Sequence, residues 1–195
     1  MPVVLEPFSL DRIVSAIDDV HDRLLRATAA LDAAQVDYAV IGGNAVAAWV
    51  SRVDKTVVRF TQDVDVLVRR SDMSKVVEAM AAGGFKHRHV AGIDIFLDGA
   101  STKARDAVHL LFAGELVRPE YVLPSPEVTE SVRAPEYQVV SLEALMRLKL
   151  TSFRRKDQVH IQDLIGVGLI DETWLEKVPA ELAPRLKQIL DDPEG

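Results

Sequence analysis

Two stretches decide the fold: Tyr38-Ala39-Val40-Ile41-Gly42-Gly43-Asn44 and, some twenty residues on, Thr61-Gln62-Asp63-Val64-Asp65. In the first, a short apolar run stops at two glycines and gives way to the Ala-rich segment 44–50. That pattern is a buried strand, a tight turn and a helix. In the second, residues 60–68 alternate, with Val64, Val66 and Val68 on one side and Asp63, Asp65 and Leu67 on the other. Successive side chains of a strand point to opposite faces, so the two carboxylates share a face and the valines make a core face.

The flanks extend this order. Residues 9–34 carry Ile13, Val14, Ile17, Val20, Leu24, Leu25 and Leu31 at helical spacing, with Ser9 or Asp11 as the cap. After Asp65 the spacing predicts a helix over 73–82, opened by Ser71 or Asp72 and stopped by Gly83-Gly84. Strands are expected at 85–89, 93–97 and 107–112. Residues 116–133 read as irregular, because Pro119, Pro124 and Pro126 forbid a long helix. From Ser141 the pattern is helical to the end, with Leu142, Leu145, Met146 and Leu150 on one face, then 157–167 and 174–190. No helices separate the later strands, so a regular doubly wound sheet is not expected. The reading is α+β, a mixed sheet flanked by helices, with core 1–135 and a helical part 136–195 packed on it as one compact unit.

Composition limits the function. The chain has 195 residues, 48% of them apolar, enough for a buried core. It carries 23 Lys+Arg against 30 Asp+Glu, a net charge of −7, which argues against broad binding to duplex DNA. The charge is uneven: residues 171–195 hold seven acids and three bases, whereas 147–156 holds five bases and no acid. There is no cysteine, so disulfides, thiolate metal sites and cysteine nucleophiles are excluded, and a cytoplasmic location is expected. The first seven residues are too short and too acidic for a signal peptide, and no apolar run reaches the length of about 20 that spans a membrane.

Three features could do chemistry. Glycines at 42 and 43 let a backbone approach a phosphate, and the following helix offers unpaired N–H groups; the same glycines also serve any tight turn. Asp63 and Asp65 side by side repel unless a cation or proton joins them, and a hard divalent ion is the usual resolution; an acidic solvated edge is the plain alternative. The third is the basic stretch Arg147, Lys149, Arg154, Arg155 and Lys156, leading to Asp157, His160 and Asp163. On one continuous helix Lys149, Lys156 and His160 would align; a solvated charged face is the alternative. His87 and His89 lack a nearby third ligand and read as surface residues. Trp49 and Trp174 read as packing groups.

In this order the motifs resemble the nucleotidyltransferase superfamily that includes DNA polymerase beta. Gly42-Gly43 matches its glycine turn and Asp63-Val64-Asp65 its Asp-x-Asp pair. More narrowly, these segments with Lys149, Arg155-Lys156-Asp157, His160 and Asp163-Leu164 look like the AbiEii-type and related minimal nucleotidyltransferases. The resemblance implies transfer of a nucleoside monophosphate from an NTP to a hydroxyl acceptor (a tRNA end, a protein or a small molecule), with release of pyrophosphate. It implies Mg²⁺ or Mn²⁺ held by Asp63 and Asp65. It places Gly42, Gly43, Asn44 and Thr61 with the nucleotide, and Lys149, Arg154 and Arg155 as its counter-charges. It also suggests a cognate protein partner of the toxin–antitoxin kind. The family's third carboxylate lies on a later strand, and the aligned position here carries His109, within Ala107-Val108-His109-Leu110-Leu111-Phe112. Imidazole there would be a ligand, a base for the acceptor hydroxyl, or a partly buried strand residue. The alternative expectation is a nucleotide-binding or interaction module that transfers nothing.

Overall fold

The structure, a computed structural model, describes residues 9–99 and 106–192. The N-terminal segment read against a signal peptide lies outside the described residues. Seven strands form a single sheet: β1 (Tyr38–Ile41), β2 (Val64–Val68), β3 (Phe85–Val90), β4 (Ile93–Asp98), β5 (Ala107–Phe112), β6 (Ser131–Arg133) and β7 (Gln138–Val140). Their spatial order is β3-β4-β5-β2-β1-β7-β6. β2 runs parallel to β5 and β1 parallel to β7, while the remaining pairs are antiparallel, so the sheet is mixed. The helices are α1 (Leu10–Ala33), α2 (Gly42–Ser51), α3 (Met73–Ala82), α4 (Leu142–Ser152), α5 (Arg155–Gly166) and α6 (Ala183–Asp191). The α+β architecture expected from the sequence is the one observed. Among the described residues no helix is long and apolar enough to cross a membrane.

Alternation along the strands divides the interior into two cores. Val64, Val66 and Val68, with Val108, Leu110 and Phe112, pack against Leu24, Ala27 and Leu31 of α1 and Val76 and Met80 of α3. The opposite face, with Ala39, Ile41, Leu67 and Val139, is covered by α2, α4, α5 and α6 through residues such as Val46, Leu145, Ile161 and Leu186. Asp65 and His109 fall on this second face. The C-terminal helices therefore roof the side of the sheet that carries the polar residues.

Several elements depart from the sequence reading. β2 begins at Val64 rather than near Phe60. The Asp63 N–H donates to Thr61 Oγ1 (3.4 Å) and the Asp63 carbonyl accepts from Asn44 Nδ2 (2.8 Å), so position 63 is satisfied outside the ladder. The glycines are the first residues of α2 rather than a turn before it, with Gly42 at φ +70°. The basic stretch is not one helix. α4 ends at Phe153, in the left-handed region at φ 47°. Arg185 donates to the carbonyls of Leu150 (2.6 Å) and Thr151 (2.8 Å), satisfying the end of α4, and its guanidinium lies 5.3 Å over the Phe153 ring. α5 then restarts behind Arg154. Likewise 174–190 divides into a 3₁₀ turn (Glu172–Glu176) and α6, with Pro179 between them. β6 and β7, each three residues, form a hairpin inside and just beyond the stretch read as irregular and helical. This hairpin straddles residue 135 and carries the sheet past it.

Candidate active site

The polar residues gather where β1 ends and β2 and β5 begin. Antiparallel pairing places Ile41 beside Asp65, and parallel pairing places Asp65 beside His109. One cavity of about 380 Å³ lies here, lined on one side by Gly42, Asp63, Asp65, Lys149, Arg154 and Lys156. Of the expected residues, it thus brings together Asp63, Asp65, His109, Lys149, Arg154 and Gly42. Gly43, Asn44, Thr61 and Arg155 do not line it. The first three stand behind the wall: Asn44 fastens the Asp63 backbone, and a Cβ on Gly43 would come within 2.7 Å of Thr61 Cβ. Arg155 is exposed on the first turn of α5.

Gly42 is needed for two reasons. Its positive φ disfavours any side chain, and a Cβ there would lie 2.1 Å from Asp65 Oδ2. The backbone at the start of α2 therefore abuts the carboxylate directly. No side chain caps α2, since Ile41 occupies the N-cap, so its first amides are open to an anion. His109 Nδ1 lies 3.6 Å from Asp65 Oδ1, and Lys156 Nζ lies 3.8 Å from Asp63 Oδ2. Asp63 and Asp65 are hard oxygen donors of the type that holds Mg²⁺. Among the described residues no group of three or more His, Asp or Glu side chains is arranged as a closed metal cage. Mg²⁺ does not require one, because it is commonly held by one or two carboxylates together with substrate phosphates.

The break between α4 and α5 builds the cavity floor. Lys149 is 4% exposed, and its ammonium donates to Asp157 Oδ1 (3.2 Å) and to His160 Nδ1 (2.9 Å). Asp157 is fully buried and also accepts from Ser152 Oγ (2.8 Å), Arg154 Nε (2.7 Å) and the Arg154 amide (3.2 Å). Burial alone would raise the Asp157 carboxyl. The Arg154 hydrogen bond, the Lys149 charge and the Ser152 hydroxyl outweigh it and hold it at about 2. Burial, reinforced by the Lys149 charge, pushes His160 down to about 4, so its neutral ring accepts from the lysine. Burial also lowers Lys149, against the pull of Asp157. Lys149 and His160 therefore meet across two helices, in place of the single-helix row with Lys156. Arg154 and Lys156, with side chains 49% and 56% exposed, face the cavity from its rim on this side.

The other side of the cavity comes from β4, β5 and the segment after β5. Ile93, Leu111, Val117, Arg118, Tyr121 and Leu123 line it. Ile93 and Leu111 lie on strands expected from the sequence, but Val117, Arg118, Tyr121 and Leu123 lie in the stretch read as irregular, where no periodicity points to a cavity wall. His89 is exposed and His87 half-buried, and the two share a partner. Both bond Asp94 Oδ1, at 2.8 and 3.0 Å, and burial of Asp94 is outweighed by the bonds from His89 and His87, leaving its carboxyl lowered. These residues share the strand face of Phe96, away from the cavity.

No protein-family model and no curated protein sequence matches the chain. Solved structures do. The antibiotic-resistance factor ANT(2'')-Ia in complex with adenylyl-2''-tobramycin superposes with a TM-score of 0.53 at 16% identity, covering 93% of this chain and 99% of that one. Its solution structure gives 0.52 at 16% identity, covering 91% and 92%. An antigenic nucleotidyltransferase-like protein from Paracoccidioides brasiliensis gives 0.51 at 18% identity, covering 91% and 93%. Nearly the whole chain is thus superposed on each of them, and the protein has the fold of the nucleotidyltransferases and nucleotidyltransferase-like proteins.

Proposed function

We propose that this chain is a metal-dependent nucleotidyltransferase that moves a nucleoside monophosphate from an NTP to a hydroxyl acceptor. The observation that carries the reading is the abutment of Gly42 on Asp65 at the edge of a cavity that also holds Asp63, Arg154 and Lys156. Uncapped helix amides, two carboxylates and two exposed cations within one cavity suit a triphosphate better than an uncharged ligand. Asp63 and Asp65 would hold Mg²⁺ or Mn²⁺, which when bound would supply polarisation of the phosphoryl group and charge compensation for the pyrophosphate.

The chain's own residues do the rest. The first amides of α2 bind phosphate oxygens, and Arg154 and Lys156 balance the charge of the triphosphate. Lys149 and Asp157 hold Arg154 and the α4–α5 junction in place beneath it. The acceptor oxygen bonds to the α-phosphorus while the bond from that phosphorus to the oxygen bridging the β-phosphate breaks. Pyrophosphate leaves with that electron pair, and His109, beside Asp65, takes the acceptor's proton. ANT(2'')-Ia was captured with an adenylylated small molecule, which supports a hydroxyl as the acceptor group here.

The test is incubation of the protein with each α-labelled NTP, Mg²⁺ or Mn²⁺, and cell extract as a source of acceptors. Label transfer and pyrophosphate release, both lost in Asp63→Ala/Asp65→Ala, are expected. Absence of both with all four NTPs and both metals refutes the reading. A second reading is favoured by one observation, the imidazole of His109 where the resemblance calls for a third carboxylate: nucleotide binding without transfer. Under it His109→Asp gains transfer activity, whereas under the first reading His109→Asp does not exceed the wild type.

A further inference from the structure

The cavity has two unlike halves, and the unlikeness follows the sheet order. On the β2–β1 side stand the groups assigned to the triphosphate. On the β4–β5 side, Ile93, Leu111, Val117, Tyr121 and Leu123 present carbon. Ile93 and Val117 remain 51% and 47% exposed, and Leu116 and Val122, in the same segment as Val117, are each 52% exposed. Scattered exposed aliphatics are ordinary, but these lie on or flank one rim.

Charge narrows what this half can receive. The acids that line the cavity are Asp63, Asp65 and Asp157. Asp157 is already saturated by Lys149, Arg154 and Ser152, and the other two face the triphosphate. Among the described residues no carboxylate lines the apolar side, and Glu120 beside it is already paired with Arg118, so a polycationic acceptor such as an amino sugar would shed hydration there with little compensation. The cation on that side is Arg118, which pairs with Glu120 at 3.7 Å and lies 6.0 Å over the Tyr121 ring. Among the described residues, one paired arginine on this side is poor provision for a polyanionic nucleic-acid end, which needs several phosphate contacts.

We infer that the acceptor is an uncharged hydroxyl compound with an apolar or aromatic body, its body against Ile93, Val117 and Tyr121 and its hydroxyl toward Asp65 and His109. The inference rests on the nucleotidyltransferase reading and specifies the substrate class of that same site. A cavity lined by carbon with a few convergent polar groups is the usual form of such a site. The hydroxyl oxygen forms the bond to the α-phosphorus and pyrophosphate is the leaving group, as above, so no further co-reactant is required.

Saturation-transfer NMR on the full chain tests it, with phenyl β-D-glucoside as the neutral probe, tobramycin as the cationic one and a short single-stranded RNA as the anionic one. Each is measured with Mg²⁺ and the four α,β-methylene NTP analogues. The phenyl protons of the glucoside are expected to receive saturation, and the uncharged double variant Ile93→Asn/Val117→Asn is expected to weaken its binding roughly tenfold, the loss of two half-exposed aliphatic contacts. Binding of the NTP analogue stays within about twofold in that variant, since neither residue belongs to the charged half. Val117→Ser, a milder change at an exposed position, gives a smaller loss in the same direction and guards against misfolding. The inference is overturned if the glucoside receives no saturation, or if tobramycin or the RNA receives saturation that the double variant abolishes. It is also overturned if the double variant weakens analogue binding as much as glucoside binding, which would place the nucleobase in this half. Analogue binding by the wild type separates the two levels: binding without a glucoside signal fails the inference alone, and no analogue binding fails the nucleotide reading with it.

Discussion

Removing Asp157 should cost far more stability than removing Lys149, although the two form one buried pair. In Asp157→Ala the Lys149 ammonium, 4% exposed, is left with His160 Nδ1 at 2.9 Å as its partner, and Arg154 loses its anchor. Breaking a buried pair so that one charge stays behind costs about 3–5 kcal/mol. Lys149→Met is different, because Asp157 keeps the Ser152 hydroxyl at 2.8 Å and the Arg154 Nε at 2.7 Å. The loss is then one hydrogen bond to a still-paired carboxylate, about 1–2 kcal/mol. Urea unfolding followed by circular dichroism reads both. With a slope of about 2 kcal/mol per molar, Asp157→Ala lowers the midpoint by roughly 2 M and Lys149→Met by less than about 1 M. NMR titration supplies a second check: without the lysine charge the His160 pKa rises from its value of about 4. Equal costs for the two variants, or a cost below about 1 kcal/mol for Asp157→Ala, would show that Asp157 does not hold a buried charge in place.

Acid should destabilise the protein in two stages. His160 is held down at about 4, so the unfolded chain binds a proton more readily between 6.5 and 4, and stability falls as pH drops through that window, by at most about 3 kcal/mol. Asp157, lowered from 3.8 to about 2, contributes stability that is present above 3.8 and lost as pH falls toward 2. Thermal melts from pH 7 to pH 3 should show the first loss, and His160→Gln should flatten it. Gly42→Ala imposes a left-handed penalty of about 1–2 kcal/mol and pushes on Asp65 Oδ2, where the new Cβ would stand 2.1 Å away. It should lower the urea midpoint and abolish NTP binding, while a variant that binds NTP normally would show that the abutment does not matter. Arg185→Ala strips the donors from the Leu150 and Thr151 carbonyls and should cost about 1–3 kcal/mol, with faster amide exchange at the end of α4.

Much of the fold was legible because glycines and alternation mark it. α3 and β5 occupy the residues expected of them, the first stopped by Gly83-Gly84 and the second carrying its valine–leucine face. The proximity of Asp65 to His109 follows from the same alternation, since β2 and β5 place these two in register, whereas Asp63 stands just before β2. The α4–α5 break was not legible. Nothing local marks Phe153 as left-handed; Arg185, more than thirty residues on, satisfies the carbonyls and covers the ring. Without that break Lys149 could not reach His160, so the buried triad with Asp157 was hidden too. The Asp94 bridge to His87 and His89 depended on the β3–β4 register, which places His89 opposite Asp94. Part of the apolar wall of the cavity, Val117, Tyr121 and Leu123, comes from a segment with almost no regular structure, where periodicity carries no information.

The proposed function requires Asp63 and Asp65 to hold a metal–NTP complex in the cavity beside Gly42. Calorimetric titration of each α,β-methylene NTP analogue into wild type and Asp63→Ala/Asp65→Ala, with and without Mg²⁺, tests it most directly. At least one analogue is expected to bind the wild type, Mg²⁺ to strengthen the binding, and the double variant to weaken it by at least about tenfold. Binding that is absent from the wild type, or undiminished in the double variant, would contradict the proposed function.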